Sequence, residues 1–380
     1  MIGIGLKMLF ADRAKVFGLV LGVAFSTLLI TQQSSLFVGL MLRTQSLIAD
    51  AQEVNLWVMD PTVEFIDSAK AMRDVELQRV RGVPGVAWAV PFFRATTALR
   101  TQEGRTLNVL LIGLDDDTLI GMTHRFVVGG PADLHRPDAV AIDYAGFKRL
   151  WPDESPKAGR LLELNDHRAV VTAISDASEP FSSAAVIYTR YSKALSYFPS
   201  GRNQLSFVLA RAAEGYEPQQ VAREINARTG LKAYTSSTFS MVTMKYYFTN
   251  TGIPLNFAVV IALGFVVGAA IVALIFNMFV SDNIRQFATL KALGATDRWI
   301  IILVSVQAGV VGAIGYGIGL GVAAAFVAAL DYPTSELRGF YIPWWVALGV
   351  AASTAMVILI ATLASSRRVV VVDPAIVFRG

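Results

Sequence analysis

The chain has 380 residues, 54% of them hydrophobic and 16% charged, with a net charge of +4 and no cysteine. A soluble domain carries about 25% charged residues, so a chain this poor in charge, with a mean hydropathy of +0.51, is partly solvated by lipid. The missing cysteine excludes disulfides, thiol catalysis and cysteine-based metal sites, and the pI near 9.2 rests on too small a net charge to signal nucleic-acid binding.

The chain opens with an amphipathic segment, residues 1–15, carrying Lys7, Arg13 and Lys15. A helix needs about 20 apolar residues to cross a bilayer core. The first such run covers 16–42, with a polar interruption at Gln32-Gln33-Ser34-Ser35. The two segments together resemble a signal peptide in outline. The run exceeds the usual length of about 7–15 residues, however, and no A-x-A cleavage site follows. It reads as a retained anchor whose helix leaves the lipid near Thr31 and continues as a stalk over about Gln32–Ala51.

Residues 43–252 read as a mixed α+β domain. Asn55-Leu56-Trp57-Val58-Met59 is a short strand, 67–80 an amphipathic helix, and Gly82-Val83-Pro84-Gly85-Val86 a turn. A strand over 87–99 pairs with one over 106–114 through the turn at Glu103-Gly104. Further strands are expected at 138–142, 168–174, 184–189 and 204–211. A helix over 218–229 stops on Gly230. A strand over 231–234 and a second stalk helix, 236–251, then lead to the next apolar run. The stretch near 100–200 is richer in Pro, Gly, Asp and Ser, and is expected to form a sub-domain inserted into a smaller βαβ-like frame. No internal repeat or low-complexity tract occurs.

Three more apolar runs follow, over 253–279, 299–330 and 344–364. Trp344-Trp345 opens the last, as expected where a helix meets the membrane interface. Lys and Arg set the orientation. They cluster in the N-terminal segment, in 280–298 (Arg285, Lys291, Arg298) and in the tail 365–380 (Arg367, Arg368, Arg379). The loop 331–343 holds Asp331, Glu336 and only Arg338. Both termini and 280–298 are therefore expected in the cytoplasm, and 43–252 with 331–343 outside. The fold class is a membrane protein of four transmembrane α-helices, with a large α+β domain inserted between the first and second.

Catalytic motifs do not emerge. No G-x-x-x-x-G-K-[ST] loop occurs, so the 380 residues hold no P-loop ATPase. The glycines of the third run (Gly309, Gly312, Gly315, Gly317, Gly319, Gly321) read as close helix packing through small-xxx-small faces, with Gly315/Gly319 and Gly317/Gly321 as pairs. Gly18/Gly22 and Gly264/Gly268 repeat the spacing on the first and second runs. His124, His135 and His167 lack metal-ligand spacing, and Asp115-Asp116-Asp117 reads as a solvated loop rather than a cation site. G-x-S-x-G is absent. The apolar runs carry no ionisable residue in their cores, only Asn277 and Gln307, which argues against an ion-coupled pump or channel.

The most informative stretch is 281–296, SDNIRQFATLKALGAT. It reads as a short helix, N-capped by Asp282 or Asn283 and stopped by Gly294, with Ile284, Phe287 and Leu290 at helical spacing. An amphipathic helix of this kind lies in lipid headgroups or inserts into a groove on a partner.

R-x-F-A-x-L-K-A-L-G-A-T over 285–296 resembles the coupling segment of the MacB/FtsX-type permeases of ABC transporters. The entry Asp12-Arg13-Ala14-Lys15 with Gly18-x-x-x-Gly22-Val23-Ala24 is similar to their first helix. Arg81-Gly82-Val83-Pro84-Gly85-Val86 with Val90-Pro91 is similar to the start of their periplasmic core domain, and Arg367-Arg368 with Asp373-Pro374-Ala375 to their tail. Gln307 departs from the Glu that many relatives carry early in the third helix.

The resemblance implies a permease subunit in a bacterial inner membrane, with 43–252 in the periplasm. It implies two copies of a separate ATPase that hold ATP-Mg, this chain carrying no cofactor, and a second permease copy in a homodimer. Ile284, Phe287 and Leu290 become the expected anchors on the ATPase, Arg285 and Lys291 tune the contact, and Leu293 and Gly294 complete the motif. Mechanotransmission would then drive export of a lipophilic or periplasmic substrate, with a membrane-fusion adaptor and a TolC-like duct. Lipoprotein release, FtsX-like signalling to a cell-wall hydrolase, and a sensor or scaffold without an ATPase are the alternatives. The large external domain favours export.

Overall fold

The computed structural model describes residues 2–181, 185–198, 205–332, 334–335 and 338–370. The expectations that fall on Ala184, Gln204, Glu336, Asp373, Pro374, Ala375 and Arg379 lie outside them. The chain divides into two units, one of Met1–Gly39, Gly252–Asp331 and Leu337–Gly380, the other of Leu40–Thr251 with Tyr332–Glu336.

Helix α1 (Ile2–Ala11) precedes the long α2 (Arg13–Arg43). The polar residues 32–35 do not interrupt α2, and Ser35 is fully buried. The stalk expected as far as Ala51 instead ends at Arg43. Thr44 Oγ1 donates to the Met41 carbonyl at 2.6 Å, and the chain turns into a separate short helix, α3 (Ser46–Asp50).

The second unit is a mixed α/β domain. After β1 (Leu56–Met59) come α4 (Val75–Arg81), β2 (Val86–Thr101), β3 (Thr106–Leu114), β4 (Phe126–Val128) and β5 (Ala139–Asp143). Then follow α5 (Tyr144–Leu150), β6 (Leu161–Leu164), β7 (His167–Ser175), β8 (Ala185–Arg190), α6 (Tyr191–Ser196) and β9 (Phe207–Ala212). The unit closes with α7 (Pro218–Thr229), β10 (Lys232–Thr235) and α8 (Ser236–Asn250). One ten-stranded sheet runs in the order β10-β1-β9-β2-β3-β8-β5-β7-β4, and β6 bridges β2 and β7.

Side chains alternate across this sheet, as a strand's period of two requires. Leu110, Ile112, Val186 and Tyr188 enter one core, closed by α3 and by Phe239 of α8. Val109, Leu111, Ala185 and Ile187 enter another, closed by Phe147 of α5 and Ala194 of α6. A third core beside β1 is closed by Val80 of α4 and by Val221 and Ile225 of α7. Because helices cover both faces, β3 and β8 read as continuous apolar runs rather than alternating ones.

Two expectations are corrected here. The helix expected over 67–80 is a 3-10 turn at Ile66–Ser68 followed by α4. Between them the Met72 N–H donates to the Leu205 carbonyl at 2.8 Å, and this sheet bridge overrides the local helical pattern. The sub-domain expected near 100–200 is no separate body, since β3 to β8 continue the sheet begun by β1 and β2. The hairpin through Gly104 (φ +81°) pairs Phe92 with Leu114 and Arg100 with Thr106. Gly230 ends α7 at φ +72°.

In the other unit, α9 (Ile253–Asp282), α10 (Ile284–Ala292), α11 (Asp297–Ala329) and α12 (Trp344–Val370) follow. Together with α2, the helices α9, α11 and α12 are long and apolar enough to cross a membrane. Helix α8 does not run on into α9. The chain is extended at Thr251, and Pro254 stands in the first turn of α9, where its ring prevents an upstream helix from continuing through it.

The packing glycines converge on α2. Gly18 meets Ile275 and Gly22 meets Ile271, while Gly264 lies against Leu29 and Gly268 against Ser26. From α11, Gly315 lies against Val23 and Gly319 against Thr27. The pair Gly317/Gly321 differs, with nothing within 4 Å of either. Ser26 Oγ also donates to the Gly264 carbonyl at 3.1 Å, Thr27 and Thr354 share a hydroxyl bond at 3.1 Å, and Tyr316 OH donates to the Ala347 carbonyl at 3.0 Å. Such interhelical bonds contribute about 0.6 kcal/mol each in lipid.

A Cβ on Gly268 would collide with Ser26, whereas Gly321 has open space. Overpacking of this kind costs about 1–3 kcal/mol. Gly268→Val is therefore expected to lower the melting temperature of the full chain in detergent, and Gly321→Val to leave it unchanged.

Asp143 caps α5, accepting from Gly146 N at 3.1 Å and from Val186 N at 2.7 Å. Burial raises its pKa to about 6, against the two N–H donors; Glu179 raises it further and Arg149 opposes. The folded chain thus holds this proton more tightly than the unfolded chain, so ionisation of Asp143 is a cost above pH 6. Stability is expected to rise as pH falls from about 7 toward 5, by about 1 kcal/mol from this group. Thermal melts across that range should show the slope, and Asp143→Asn should flatten it.

Candidate partner-docking site

Asn283 sits at the N-cap position of α10 but does not cap it. Its side-chain amide instead donates to the Phe279 carbonyl at 2.8 Å, closing the end of α9. At the other end, Gly294 N donates to the Lys291 carbonyl at 2.9 Å and Ala295 N to the Leu290 carbonyl at 3.0 Å. These two bonds form a Schellman motif, which requires the left-handed backbone that Gly294 supplies at φ +95°.

Helix α10 has two distinct faces. Phe287 and Ala288 are fully buried. Phe287 lies in a core shared with Leu9 of α1, Val280 of α9 and Ile300 of α11, and Leu290 packs against that core. Ile284 is half-buried beside them. The Lys291 ammonium is largely covered and pairs with Asp297 at 2.9 Å. The opposite face presents Arg285, Gln286, Thr289 and Leu293, and Leu293 is 80% exposed. Thus Phe287, expected as an anchor on a partner, is held inside this chain. Leu293 and Arg285 are the members of the motif that stand free of the core.

Three ion pairs at this end escaped the sequence reading. Lys15 pairs with Asp12 at 2.7 Å and also with Asp282, joining the start of α2 to the end of α9. The Lys291–Asp297 pair joins α10 to the start of α11. In the sequence Lys15 signalled only orientation and Lys291 was expected to tune a partner contact, because nothing local shows which acid each meets. Gln307 is fully buried in α11.

The other residues singled out earlier have ordinary surroundings. Asp115 accepts from Thr118 N at 3.1 Å and Thr118 Oγ1 at 2.8 Å, and Asp116 accepts from Ser192 N at 3.0 Å. His124 lies 3.6 Å from Glu53, and His167 meets the Tyr197 ring edge-on. Among the described residues, no group of three His, Asp or Glu side chains has the placement of a metal site.

Comparison with known proteins gives two family matches. Residues 16–228 match the MacB-like periplasmic core domain, and residues 258–374 match the FtsX-like permease C-terminal family. The periplasmic region of MacB from Actinobacillus actinomycetemcomitans is 10% identical over 51% of this chain and 96% of its own, with a TM-score of 0.39. The extracellular domain of the noncanonic ABC-type transporter YknZ from Gram-positive bacteria is 15% identical over 48% of this chain and 98% of its own, with a TM-score of 0.35. No curated protein matches the chain.

The first family match covers more than half of the chain and the second covers α10 together with nearly all of the last three spans. The chain accordingly belongs to the MacB/FtsX-type family: it is a multi-pass permease subunit of an ABC transporter, with a mixed α/β periplasmic domain between its first and second spans and an ATPase as its partner.

Proposed function

We propose that this permease works by mechanotransmission, converting an ATPase stroke at α10 into movement of its periplasmic domain. The observation that carries the reading is the division of α10 into a buried face and an open one. A helix whose Phe287 is locked into the core of α2, α9 and α11 does not give way when its outer face is pushed; the displacement passes to the bundle. An ATPase groove would receive Leu293, with Arg285, Gln286 and Thr289 around it. Burying a leucine contributes about 1.5–3 kcal/mol.

In this reading both termini and α10 face the cytoplasm, which the placement of Lys and Arg supports. The membrane is the bacterial inner membrane. Two copies of the permease pair as a homodimer, and two copies of a separate ATPase hold the ATP-Mg. This chain binds no cofactor. The cargo is a lipophilic or periplasmic substrate, passed to an adaptor and a TolC-like duct. The near absence of ionisable groups from the apolar runs supports a lever rather than an ion path.

The orientation has a direct check, since the chain holds no cysteine. A cysteine at exposed Thr296 is expected to resist a membrane-impermeant maleimide added to spheroplasts and to react once they are broken. A cysteine at exposed Thr106 of the periplasmic domain should react in both.

The docking face is tested by Leu293→Asp and Arg285→Glu. Each is expected to weaken co-purification with the ATPase at least tenfold while the amount of permease in the membrane holds. Phe287→Ala should act differently, destabilising the permease itself by about 3–5 kcal/mol. Unchanged ATPase binding in both Leu293→Asp and Arg285→Glu would remove α10 as the docking element.

A further inference from the structure

The connection leaving β7 makes contacts out of proportion to its length. The Asp176 N–H donates to the Arg125 carbonyl at 2.9 Å. Ser178 donates from both its N–H and its hydroxyl to the Asp50 carboxylate of α3, at 2.8 and 2.9 Å. Glu179 receives Arg43, in the last turn of α2, at 3.0 Å and Arg149, in the last turn of α5, at 3.2 Å. The Phe181 ring meets Tyr247 of α8 edge-on, with centroids 4.9 Å apart.

The acid at the centre of this set is well enclosed. The Glu179 side chain is 7% exposed and those of Arg43 and Arg149 are 15% exposed. An ion pair in such a place is not screened as a surface pair is, and losing one partner leaves a buried charge uncompensated. On the far side, Tyr247 OH donates to Asp67, which pairs with Arg94 of β2. Residues 176–181 thus touch the helix that enters this unit, α2, and the helix that leaves it, α8, and are covalently continuous with β7.

We propose that residues 176–181 are a coupling strap, with Glu179 as its pivot, that makes the end of α2 and the end of α8 move together with β7. Arg43 is a positioning residue for α2 and Phe181 for α8. The strap gives a route by which a displacement of either helix reaches the far half of the sheet. This inference rests on the mechanotransmission reading above.

The test uses the full permease with its ATPase in nanodiscs, carrying one spin label per chain, either at Arg168→Cys on β7 or at Lys245→Cys on α8. Both positions are exposed. Distances between the two permease copies are read without nucleotide and with trapped ATP. In the otherwise unaltered chain both labels are expected to shift. In Arg43→Met and in Phe181→Leu, ATP hydrolysis and the Lys245 shift should persist while the Arg168 shift falls below half. Arg43→Lys, which keeps the charge, should restore it, a rescue that a merely stabilising contact would not tie to nucleotide. Phe181→Leu keeps an apolar side chain and decides the matter alone if Arg43→Met does not assemble. A full Arg168 shift in Phe181→Leu overturns the strap. If neither label shifts in the unaltered chain, the mechanotransmission reading fails instead, and the strap with it.

Discussion

Close approach of helices in lipid is the constraint on which the membrane unit depends. Apolar surface offers no driving force between helices when lipid tails are equally apolar, so contact must come from shape and from hydrogen bonds. Helix α2 meets both demands. Its Ser26 fits where Gly268 leaves room, and its Thr27 lies against Gly319 while bonding to Thr354. A side chain at Gly268 or Gly319 would hold the helices apart and break hydroxyl bonds that lipid cannot replace. The first span is therefore the hub against which α9 and α11 are set.

That hub gives α10 its meaning. Phe287 is buried in the same core as Val23 of α2, so α10 is part of the bundle and not a loose surface helix. The Schellman closure at Gly294 and the pair of Lys291 with Asp297 fix its far end. In the mechanotransmission proposal, rigidity on the inner face would let the outer face, with Leu293 and Arg285, act as a handle. The motif holds two kinds of residue, one securing the helix to its own chain and one left exposed.

The periplasmic domain solves a different problem with the same economy. A sheet buried on both faces needs helices on both, and the acids that enter are met by donors. Asp143 accepts from two N–H groups, Glu179 Oε2 is met by two arginines, and Asp50 accepts from Ser178. These side chains come from segments far apart in the chain. They tie α2, α3, α5 and the β7 connection into one network rather than adding isolated contacts.

The sequence by itself determined the four spans, because about 20 apolar residues without charge have few other fates. It determined the hairpin at Gly104, the stop at Gly230 and the helical pattern of 284–292, which are all short-range properties. By spacing it marked four glycine pairs, of which Gly317/Gly321 meets nothing within 4 Å. Tertiary structure decided the rest. Helical periodicity marked Ile284, Phe287 and Leu290 as one apolar stripe, but a stripe fits a partner's groove or the chain's own core equally well. Only the arrival of α1, α9 and α11 around Phe287 assigned it to the core. Likewise the helical pattern over 67–80 gave way where Met72 found the Leu205 carbonyl, and the strands read within 100–200 gave no sign that they complete a sheet begun elsewhere. In each case the deciding partner lies far away in the chain, and a local pattern carries no record of it.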